Sequence, residues 1–138
     1  MSEENTTLIG MVALTAADPP ELSGVMDAFA ALCPEASLER DKTDNGTAIF
    51  KLDGNMAAVS LMPAPIPWTE LEGPCATAWW WPDATEQMRP HVAHVIVALL
   101  GNSGTVLKRH IQLSKLVAAI AQCSDSVGVY WGACTVVH

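Results

Sequence analysis

The segment Met62-Pro-Ala-Pro-Ile-Pro67 cannot lie inside a β-sheet, because three alternating prolines remove three ladder donors. A strand running into it must end there and leave as an extended, polyproline-like strap. The residues before it read as a hairpin. Thr47–Leu52 and Met56–Met62 flank Asp53-Gly54, the strongest short signal for a tight antiparallel turn. Ala48, Phe50 and Leu52 share one face of the first strand, and Ala57, Val59 and Leu61 share one face of the second. On the far side of the strap come Trp68 and then Trp79, Trp80 and Trp81, so four of the five tryptophans fall between positions 68 and 81. Rigid aromatics gathered in this way make either an unusual core or a surface built to hold another molecule.

The remaining elements are simpler. Leu8–Leu14 is an apolar run and predicts a buried strand. Asp18-Pro19-Pro20-Glu21 supplies a cap, two prolines for a first turn and a Glu three residues on, predicting a helix over Pro19–Leu32 that Pro34 closes. Residues 39–46 (ERDKTDNG) read as a charged loop. Gly73-Pro74 predicts a short helix over Cys75–Trp81, stopped by Pro82, and Asp83 with Glu86 forms a second capping pattern ahead of a helix to about Arg89. His91–Leu100 reads as a central strand, Gly101–Gly104 as a turn, and Val106, His110, Leu113, Val117 and Ile120 as the apolar stripe of a helix over 105–122. Val127–Trp131 closes as a strand, with Thr135–Val137 continuing it. The order predicts one α+β domain over 1–138: a mostly antiparallel sheet with helices packed on one face, ferredoxin-like in its β-α-β-β…β-α-β order, with 63–90 as a Trp/Pro-rich helical insertion.

Composition bounds the partners. Half of the 138 residues are apolar, enough for a substantial core, and only 16% are charged. Fifteen Asp and Glu against seven Lys and Arg leave a net charge of −8, which disfavours nucleic acid and anionic membranes and suits a basic protein partner. Val92–Leu100 is too short to span a bilayer, and the acidic start Met-Ser-Glu-Glu-Asn is the opposite of a targeting peptide. Cys33, Cys75, Cys123 and Cys134 are scattered without a C-x-x-C pair and read as free thiols in a reducing compartment. The expectation is a cytoplasmic protein.

Catalytic signatures are weak. His91 and His94 have the spacing of a metal pair, but on a strand they point to opposite faces, and no carboxylate completes the set. The expectation is no metal and no cofactor, with one of the two imidazoles hydrogen-bonded in the core and the other facing the helices. His110 on the helical stripe reads as a buried residue. Asp83 and Glu86 fit a helix cap better than an acid–base pair. Glu70 and Glu72 stand beside Trp68 and could receive a cation if they line a pocket. Gly101-Asn-Ser-Gly104 lacks the glycine spacing and lysine of a phosphate loop. Three consecutive tryptophans on a helix would span about 200°, so one of the rings from 79 to 81 is expected at the surface.

At SLMPAPIPW (60–68), EGPCATAWWWP (72–82), HVAHVIVALLG (91–101) and GVYWGACTVVH (128–138) the chain resembles a bacterial family, number 4261 among the domains of unknown function. The resemblance implies a bacterial cytoplasmic α+β protein and no particular chemistry. It also implies relatives that continue beyond the position of His138, with this chain a short version or a truncated piece. The leading expectation is a non-enzymatic protein-binding module, for instance an immunity protein or antitoxin that neutralises an effector, with contacts from Trp68, Trp80, Glu70 and Glu72. The alternatives are an enzyme or small-ligand binder with a pocket between insertion and sheet, lined by Trp68, His91, His94 and Trp131, and a homodimer formed through an open sheet face.

Overall fold

Strand β1 (Leu8–Leu14) carries Val12 and Leu14 fully buried on one side and Ala13 fully buried on the other. A strand buried on both faces lies inside a sheet that is covered twice. The structure, a computed structural model, describes residues 7–18, 20–44, 47–131 and 136–137. Within them the chain continues as α1 (Leu22–Leu32), β2 (Leu38–Asp44), β3 (Thr47–Leu52), β4 (Asn55–Met62), α2 (Trp68–Ala76) and α3 (Ala84–Met88). It ends with β5 (Ala93–Leu100), α4 (Val106–Gln122), β6 (Ser126–Trp131) and β7 (Val136–Val137). The strands form one sheet in the order β2-β3-β4-β5-β1-β6-β7, every neighbouring pair antiparallel. This is the α+β class that the sequence predicts.

The long helices α1 and α4 pack together, and α4 lies on β1, β5 and β6. Val25 and Phe29 of α1 and Leu113, Leu116, Val117 and Ile120 of α4 meet Val12, Leu14, Phe50, Val95 and Val97 in the main core. The other face is covered over β6 and β7 by the insertion, with α3 beside β6 and α2 beside β7. There Ile66, Leu71, Cys75, Ala78, Ala84 and Met88 close a second core on Ala13 and Tyr130. Among the described residues no helix is long and apolar enough to cross a membrane.

Several expectations change. The charged segment is not a loop but strand β2, paired with β3 from Leu38↔Leu52 to Asp44↔Thr47; positions 45 and 46 lie outside the described residues. β2 is an edge strand, and an edge tolerates charge because its outer rim faces water. Helix α1 starts later than expected, at Leu22. Its N-cap is Glu21 rather than Asp18: the Glu21 carboxylate accepts from Gly24 N at 2.7 Å and from the Ser23 hydroxyl at 2.6 Å. Pro19, Thr135, Cys134 and His138 lie outside the described residues. His110 is exposed rather than buried. The inward positions in the first two turns of α4 belong to Arg109 and Gln112, which tie it to two turns of the chain. Arg109 Nη1 donates to the Gly101 carbonyl at 2.9 Å, and Gln112 Nε2 donates to Asp53 Oδ2 at 3.0 Å.

Asp53-Gly54 forms the hairpin turn with φ of 48° and 87°, left-handed values that explain why these two residues stand there. Asn55 then clasps the β5–α4 turn, donating to the Ser103 carbonyl and accepting from Ser103 N, both at 2.9 Å.

Candidate functional site

The strap after β4 holds one apolar side chain, Ile66, in the second core while its flanking prolines face water. Prolines cannot tie it to the sheet through their own nitrogens, and two histidines do so instead. His91 Nε2 accepts from Ile66 N at 2.9 Å while His91 Nδ1 donates to the Met88 carbonyl. His94 Nδ1 donates to the Ala64 carbonyl at 2.7 Å. Both imidazoles are buried. The His91 bonds select the tautomer protonated at Nδ1. β5 begins only at Ala93, so His91 precedes the strand, and the two rings hold one strap rather than point to opposite faces.

Helix α2 begins at Trp68, directly behind Pro67, and not after Gly73-Pro74 as the sequence suggests. Pro74 falls in the last turn, where its missing N–H forfeits only the bond to the Glu70 carbonyl. Trp68, Leu71 and Cys75 share the inward face at spacings of three and four. Burial pushes the Cys75 thiol up, which keeps it protonated and inert. Thr77 ends the helix, its hydroxyl donating to the Gly73 carbonyl at 2.9 Å.

The run Ala78-Trp79-Trp80-Trp81 is therefore not helical. Trp81 N donates to the Ala78 carbonyl at 3.0 Å, closing a turn with Trp79 and Trp80 at its two corners. Ala78 is buried and Trp81 packs against the second core, so both ends are anchored. Trp79 is 83% exposed and Trp80 41% exposed, with rings edge-to-face at 5.6 Å between centroids and 85° between planes. Pro82 was the readable signal for this turn, since the residue before a proline is steered away from helix. Behind it, α3 follows Asp83 as expected, but the Asp83 side chain makes no capping bond.

The other expected site residues are dispersed. Trp68 is half-buried, with the Arg89 guanidinium 5.2 Å from its ring centroid, a cation–π contact made within the chain. Glu70 and Glu72 are exposed on α2. Tyr130 lies on the insertion side, its phenol pushed up first by burial and then by the charge of Glu70. Trp131 packs on the opposite face of the sheet, against Val117 and over Gly10, where a Cβ would come within 2.6 Å of its ring. A pocket joining Trp131 to His91 and His94 is therefore not assembled. Trp79, the most exposed ring, is the residue the sequence-level choice of Trp68 and Trp80 passed over.

No family model, no curated protein and no solved structure matches this chain.

Proposed function

We propose that this chain is a non-enzymatic protein-binding module that offers the Trp79–Trp80 turn to a basic protein partner. The observation that carries the reading is a large indole 83% exposed on a turn whose two ends are fixed in a core. Such a ring loses little conformational freedom on docking, the property of an interface anchor. Charge supports the sign of the partner. Glu70, Glu72, Asp83 and Glu86 are all exposed on the insertion, and its one cation, Arg89, is already placed over Trp68. An immunity protein or antitoxin facing a cationic effector is one such module, and kinship with family 4261 belongs to the same proposal. The pocket alternative loses support because the ring nitrogens of His91 and Nδ1 of His94 are engaged in holding the strap.

The test is affinity capture from the cell of origin with the wild-type chain, Trp79→Ala and Trp80→Ala as baits. The reading expects one stoichiometric basic protein, released by salt and lost with either variant. Removing such an anchor should weaken binding by about thirty-fold or more, while melting of the bait is unchanged. Equal capture by both variants would remove the basis of the reading.

A further inference from the structure

The insertion covers only part of its side of the sheet. The strand registers lay out what it leaves open, on the side opposite α1 and α4. One row crosses β3, β4, β5 and β1 as Ile49, Ala58, Ala98 and Ile9, apolar throughout. The small alanines in its middle leave a shallow trough between larger side chains, and Ile9 is 42% exposed. The next row toward the hairpin turn places Met56, 46% exposed, beside Leu100. The row on the other side opens with Thr47 and Ser60, whose hydroxyls hydrogen-bond each other at 2.8 Å. Charge lies along the β2 edge of this face, where the register sets Glu39, Lys42 and Asp44 opposite Lys51, Ile49 and Thr47, and the four charged residues sum to zero.

We propose that this open face is where a second copy of the chain docks, sheet against sheet. The proposal is independent of the Trp79–Trp80 reading and uses a different surface. Two molecules of net charge −8 repel, and a face that is apolar in its middle and neutral in sum is a surface on which they can meet with little opposition of like charges. The same patch on both copies satisfies the self-complementarity of a two-fold pair, with the twist of each sheet setting the crossing angle. Edge pairing through β2 is disfavoured by its run of charges from Glu39 to Asp44. Area sets the strength. Four strands about 4.8 Å apart and three rows about 6.8 Å apart give roughly 400 Å² in projection per copy. A total near 800 to 1,000 Å² is at the weak end of specific interfaces, so the dimer forms in the micromolar range and depends on concentration.

Sedimentation velocity of the full chain from about 5 to about 500 μM tests this. The wild type should pass from monomer to dimer, and Ile9→Lys and Met56→Lys should each raise the dissociation constant ten-fold or more. Both substitutions lower the net charge, so weaker general repulsion cannot explain a loss of association. Trp79→Ala should dimerise like the wild type, which separates this surface from the partner-binding turn. Hydroxyl-radical footprinting supplies a readout without variants: Met56 should become protected as concentration rises while Trp79 does not. A wild type that stays monomeric throughout overturns the proposal, and so does a dimer indifferent to both lysines or one that leaves Met56 unprotected.

Discussion

His91 shows how a residue that resembles a metal ligand can be wholly structural. One nitrogen accepts from Ile66 and the other donates to Met88, so the ring joins the strap to the end of α3. His91→Ala would leave the Ile66 amide and the Met88 carbonyl without these partners in a buried setting. The expected cost is about 2 to 4 kcal/mol, read as a lower urea midpoint in equilibrium unfolding. Trp79→Ala, by contrast, removes a ring that touches little of its own chain and should change stability by less than about 0.5 kcal/mol. A destabilisation of Trp79→Ala as large as that of His91→Ala would place the ring in the core and contradict its exposure. The roles of His91 and His94 were not legible in the sequence, because their partners Ile66 and Ala64 lie 25 and 30 positions away. The tryptophans were half legible. Crowding of three indoles at 79–81 required an exposed ring, but choosing which one needed the turn that Ala78 and Trp81 close.

Among the elements, legibility tracks how local the cause is. The β3–β4 hairpin, β1 and α4 were readable because Asp53-Gly54, an unbroken apolar run and the helical spacing of Leu113, Val117 and Ile120 each act within a few residues. β2 was not, because a charged edge strand is stabilised by its neighbour's backbone and not by its own pattern. The α1 cap fell between these cases: Glu21 belonged to the expected motif but occupies the capping position itself. The Ser23 hydroxyl, and after it Gly24 N, hold the Glu21 carboxyl below its usual range. A carboxylate lowered in the folded state stabilises fully above its unfolded value, and the contribution is lost as pH falls through the folded value. The melting temperature of Glu21→Gln should therefore lie below wild type near pH 6, with the gap closing toward about pH 3. A gap that widens on acidification would mean that the carboxylate is not the stabilising form.

At the scale of the whole molecule, the sheet separates two bodies of unequal size. Among the described residues the core under α1 and α4 contains nineteen buried side chains, including Phe29 and Phe50, and the core under the insertion contains eight. Both share β1, since Val12 and Leu14 point into the first and Ala13 into the second. The second core is closed by a nine-residue helix with a proline in its last turn, a five-residue helix without a side-chain cap, and a strap held by histidines. Short helices of this kind derive their stability from packing rather than from themselves. The insertion should therefore open as a unit below the free energy of global unfolding, leaving β1 and β5 intact through their contacts with α4. Hydrogen exchange read by mass spectrometry should show the amides of α2 and α3 exchanging faster than those of β1 and β5. Met88→Ala should speed exchange in the insertion alone, whereas Phe29→Ala, costing about 3 to 5 kcal/mol, should speed it everywhere. If Met88→Ala instead accelerated β5 as much as α2, the two cores would form one cooperative unit. The Trp79–Trp80 turn would then be as rigid as the sheet that supports it.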